Sequence, residues 1–137
     1  MARKYHWTVT VDGADLIAEG GIATTFDDHS TSSGTPADTD GCLGCSLPTG
    51  RCAATAGSPF PKLPWHTRVR VFYPATNRHV DCELIDEGPS WAAQAGMGEP
   101  GWAMIDLTPA AKLALGFAHK NDNGPVRICI FGGAAHI

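Results

Sequence analysis

From Asp27 to Pro61 the chain is rich in Asp, Ser, Thr, Gly, Pro and Cys and shows almost no apolar periodicity. Regular structure has to come from the segments on either side of it. A loop of that length inside a compact domain is usually functional or held by cross-links. The flanking segments do alternate. "WTVTVDGADLIAEG" alternates around Asp12-Gly13, a pair suited to a tight hairpin, and predicts strands over 6–11 and 14–18. "GIATTF", residues 21–26, reads as a further short strand.

Beyond the loop, "TRVRVFYP" places Val69 and Val71 on one face, "ATNR" turns, and "HVDCELID" returns with Val80, Cys82 and Leu84 inward. The same alternation puts Asp86 on the inward set, at the rim. "TPAAKLALG" predicts one short helix with Thr108 as N-cap, Pro109 in the first turn and Gly116 at its exit. "PVRICIF" reads as the closing strand. Many short strands, one helix and long loops predict a mainly β fold, a small β-barrel, in a single domain.

The 137 residues suffice for one modest core, and 43% hydrophobic with 18% charged residues fits a folded chain. Net charge is −4 with no basic run, which argues against a nucleic-acid partner. No segment approaches the roughly 18 apolar residues of a membrane helix. "MARKYHWTVTVDGADL" carries no apolar stretch of signal-peptide length. The expectation is therefore a chain that stays inside the cell, leaves by a route reading no such signal, or has had one removed.

"GIATTF", "STSSGTP", "LPWHTRVRVFYPATNRHVDCELIDEGP" and "MIDLTPAAKLALG", in that order, resemble the double-psi β-barrel domain of rare-lipoprotein-A-type lytic transglycosylases, expansins and, more distantly, family-45 endoglucanases. The resemblance implies a six-stranded double-psi β-barrel over residues 21–131, with the loop at about 27–61 as an insertion and residues 1–20 as an N-terminal hairpin extension. It also implies a groove that takes a polysaccharide or peptidoglycan and needs no cofactor. Asp86 matches the aspartate of the transglycosylases' "NDRGP"-like block, and Asp106 that of the "IDLS"-like block. Asp27 or Asp28 lies near the endoglucanases' second acid, and Ser33 falls within "STSSGTP". The histidine that the transglycosylase-like domains carry before their "LP" has no counterpart in "SPFPKLPWH", which speaks for a binding module of the expansin kind.

Cleaving a glycosidic bond needs a proton for the leaving oxygen and stabilisation of the charge that builds on the sugar. Two carboxylates can supply both if one is held protonated and the other ionised. The candidate catalytic pair is Asp86, as acid/base, and Asp106, as its electrostatic partner. Asp106 could instead simply cap the following helix or brace the psi loop that the resemblance implies, and "DEGP" could be a charged turn. Trp65, Trp91 and Trp102 offer flat faces for sugar rings, or else plug the barrel ends. With Ser33 and Asp27 they form the substrate-binding set.

Cys42, Cys45 and Cys52 admit two readings. In an oxidising setting they would bridge and tie down the long loop; in a reducing one they would bind zinc, with His29, His66 or another distant residue as a fourth ligand. Cys82 reads as a small core residue, and Cys129 falls on the opposite alternation from Val126, Ile128 and Ile130. No "GxSxG" setting supports a serine hydrolase built on His29 or His79.

Overall fold

The computed structural model describes residues 3–96 and 98–137. Its ladder begins with a hairpin of β1 (Thr8–Asp12) and β2 (Asp15–Glu19), turned by Gly13-Ala14. Gly13 takes a φ of 62° and Ala14 is not left-handed, the pattern of a turn that needs glycine at its first position. The loop therefore sits one residue beyond Asp12-Gly13, and both strands start later than the alternation predicts. Then follow β3 (Ile22–Thr25), β4 (Gly44–Leu47), β5 (Arg68–Tyr73), β6 (Arg78–Glu87), β7 (Ala103–Leu107), β8 (Gly124–Pro125) and β9 (Arg127–Ile130). Two short helices, α1 (Trp91–Ala95) and α2 (Pro109–Ala114), stand where one was expected.

The molecule is mainly β. Its strands form one open nine-stranded sheet in the order β1-β2-β9-β5-β6-β4-β7-β3-β8, in place of a closed ring of six. The surplus has a local cause. The hairpin adds to β9 through β2, and β8 is a two-residue pairing with β3 that Val126 alone separates from β9. The pairs β3–β7 and β4–β6 are parallel, and the other pairs among the described residues are antiparallel. No helix among the described residues is long and apolar enough to cross a membrane.

The segment read as structureless contains a central strand. "GCSL" of β4 lies between β6 and β7 and is buried along its whole length. Strands covered on both faces lose the alternation by which a sequence betrays them. The hairpin is equally integral, since Trp7, Leu16 and Ala18 join the main core with Leu47, Leu84, Ile105 and Ile128. A smaller cluster of Phe26, Ala37 and Ile85 pins the long loop to the sheet.

Candidate functional site

The site is a row of register partners across four strands. Ser46 of β4 pairs with Asp86 on β6 and with Asp106 on β7, and Asp106 pairs in turn with Thr24 on β3. Strands lie about 4.8 Å apart, so the two aspartates, flanking Ser46, have Cα atoms roughly 10 Å apart. Each is preceded by a bulge. The β4–β6 register skips Ile85, and the β3–β7 register skips Met104. An extra residue sharpens the local twist and re-aims the side chains that follow it. Ile85 turns into the smaller cluster while Asp86 stays at the mouth.

Thr24, Asp28, Ser46, Asp86, Gly88 and Asp106 share the lining of one cavity of about 290 Å³. Gly88 keeps its floor open. A Cβ there would stand 3.4 Å from Ser46 Oγ and 3.9 Å from Asp106 Oδ2, and its φ of 142° excludes an ordinary side chain. Ser46 Oγ donates to the Gly88 carbonyl at 3.0 Å. On the far wall, the Ser90 side chain caps α1 by accepting from Ala93 N–H at 3.1 Å, which sets Ala93 against the cavity.

The two carboxyls have different surroundings. Asp86 Oδ1 accepts the N–H groups of Ser32 (3.0 Å) and Glu87 (2.9 Å), so the long loop is hung on it and Oδ2 is left without a protein partner among the described residues. Asp106 is pushed up to about 7, chiefly by burial. The Thr24 hydroxyl donating to its Oδ1 and the Lys112 charge pull the other way, while Asp28 and Asp86 raise it further. Lys112 is wholly buried, donates to the Asp122 carbonyl and sits 4.2 Å from the Phe117 ring centre. Burial pushes it down to about 8.

Glu87 plays another part. Its carboxylate, 6% exposed, accepts Thr49 N–H (2.7 Å) and the hydroxyls of Thr49 and Thr55 (both 2.5 Å), with Arg51 Nε at 3.8 Å. It is the anchor of the long loop. Thr108 caps α2 as expected, accepting from Ala111 N–H, and also takes Gly44 N–H and donates to the Cys42 carbonyl.

The remaining expected residues lie apart from this cavity. Trp91 packs edge-on against Tyr5, with ring centres 5.1 Å apart, and has Arg3 over it. Trp102 is 42% exposed, stacks on His6 at 4.3 Å and walls a neighbouring cavity of about 490 Å³ with Ile22, Gln94 and Asn123. Trp65 lies under the Arg51 guanidinium at 4.0 Å. Ser33 braces its own loop, accepting from Thr35 N–H and donating its backbone N–H to the Ile85 carbonyl. Asp27 is exposed, and its neighbour Asp28 is the one that reaches the cavity.

All five cysteines are free thiols. The bridge and the zinc set read from Cys42, Cys45 and Cys52 are not formed. Cys45 belongs to the buried strand β4, whereas Cys52, seven residues on, stands exposed. Among the described residues no group of three or more His, Cys, Asp or Glu side chains is placed to hold a metal ion. Burial pushes Cys45 well up and Cys82 up to about 12, which leaves both unreactive.

Sequence reasoning missed Thr24, Ser46 and Lys112. The parts of Thr24 and Ser46 depend on register and on a buried strand, neither of which leaves a periodic trace, and Lys112 is a buried cation on α2, where a lysine ordinarily reads as solvent-facing. The chain matches no protein-family model and no curated protein.

Proposed function

We propose that the chain cleaves glycosidic bonds of a cell-wall glycan, peptidoglycan, at the cavity shared by Asp86 and Asp106, on a fold of the double-psi β-barrel kind. The observation that carries the reading is the pairing of Ser46 with both aspartates, which brings two carboxyls from distant parts of the chain to one small polar cavity. The fold assignment rests on the parallel pairs β3–β7 and β4–β6 and on the passage from β8 to β9 through Val126.

The surroundings exchange the roles suggested by the resemblance. Asp106, still half protonated near neutral pH, donates the proton to the leaving oxygen. Asp86, which lines the cavity and whose Oδ2 has no protein partner among the described residues, activates water or the sugar's own hydroxyl. A Cα separation of roughly 10 Å leaves room for a sugar and its attacking group between them. Trp102, just before β7 and four residues ahead of Asp106, walls the cavity of about 490 Å³ and offers a ring to a further sugar.

A second reading has its own support. None of Trp65, Trp91 and Trp102 lines the acid cavity, as suits a module that holds a polysaccharide or a protein partner without cutting it. Incubation with purified peptidoglycan, followed by mass spectrometry of the soluble products, separates the two. The cleavage reading expects released muropeptides from wild type and a loss of at least about a hundredfold in Asp86→Asn. Undiminished release from Asp86→Asn ends the catalytic assignment, and co-sedimentation without release gives the binding module.

A further inference from the structure

A separate concavity of about 400 Å³, whose Arg51 Nε stands 3.8 Å from the Glu87 carboxylate that borders the acid cavity, is walled by Arg51, Lys62, Leu63, Pro64, Trp65 and His136. Three of its six residues carry or can carry positive charge and none is acidic, in a chain whose net charge is −4. Its polar groups are donors. The carbonyls beside it are already used, since Leu63 accepts from Arg51 Nη2, and Pro64 accepts from the Thr67 N–H at 3.2 Å and hydroxyl at 2.6 Å.

Arg51 is held from three sides. Nη2 is bound to Leu63, Nε faces Glu87 at 3.8 Å, and the plane lies over the Trp65 ring at 4.0 Å. That leaves Nη1 without a hydrogen bond among the described residues. Lys62 is exposed and forms no ion pair among them. A guanidinium held in one orientation suits an oxyanion, because little of its freedom is lost when the ligand arrives, and the exposed Lys62 ammonium adds a second positive charge. Pro64, which is exposed, and the half-buried Trp65 supply an apolar wall for the C–H face of a ring.

The geometry points to a binding site for a carboxylate-bearing sugar, with Arg51 and Lys62 taking the carboxylate and Trp65 flanking the ring. This site is separate from the Asp86–Asp106 cavity, and its existence does not depend on cleavage there.

The test is a titration of ¹⁵N-labelled protein with D-glucuronate, and with D-glucose as the neutral control, following the Trp65 indole N–H by NMR. The expected result is a saturable shift with glucuronate that weakens as salt is raised, and none with glucose. Lys62→Glu, a change at an exposed position that leaves the amide spectrum dispersed, should weaken binding at least about threefold, and Arg51→Lys, which keeps the charge and loses the fork, should weaken it also. No saturable shift with glucuronate, equal shifts with glucose, or unchanged binding in folded Lys62→Glu would each overturn the proposal.

Discussion

Asp86 and Glu87 share the end of β6 and both border the acid cavity, yet Asp86 keeps one carboxyl oxygen without a protein partner among the described residues, whereas both carboxyl oxygens of Glu87 are engaged by the long loop. Glu87 holds three donors and the Arg51 charge in a setting nearly closed to water. Removing it strands all of them, so Glu87→Ala should cost about 3 kcal/mol, read as a lower urea midpoint at unchanged slope. Asp106 makes a different prediction. Its pKa, about 7, stands above the ordinary ~3.9 of the unfolded chain. Between these values the native state keeps a proton that the unfolded state has released, so stability falls as pH rises from about 4 to about 7. Asp106→Asn should flatten that slope, with a difference on the order of 2–4 kcal/mol across the window by urea unfolding. A parallel pH dependence in wild type and variant would show that the carboxyl is not held this way.

At the scale of elements, the strands with one covered face could be read from the sequence. Alternation in "TRVRVFYP" and "HVDCELID" gave β5 and β6, and Thr108-Pro109 marked the start of α2. What stayed hidden was β4, whose four buried residues lack a period, and α1, whose five residues are too few for one. The aspartates could be picked out from the strand mouth and from the resemblance. Their meeting across Ser46 could not, because it depends on β4 and on two bulges that shift the register by one residue each. The cysteines misled for the same reason: a spacing that suggests a knuckle loses its meaning once Cys45 is part of the sheet.

Over the whole molecule, the hairpin of β1 and β2 closes one side of the main core. Leu16 is fully buried there, within the cluster that also contains Ile128 and Ile130. Leu16→Ala should therefore cost about 2–5 kcal/mol, as a core truncation does, and a loss under 1 kcal/mol by thermal or urea unfolding would mark the hairpin as an appendage. The packing of that core brings the ends of β6 and β7 to opposite sides of β4 and so makes a pair of the two acids. The most direct measurement of that pairing is a ¹³C titration of the Asp106 side-chain carboxyl in wild type and in Asp86→Asn. Convergence of the two groups predicts a midpoint near 7 in wild type and a lower one in the variant, since the Asp86 charge is among the causes that raise it. A midpoint in the ordinary carboxylate range, indifferent to the substitution, would contradict it.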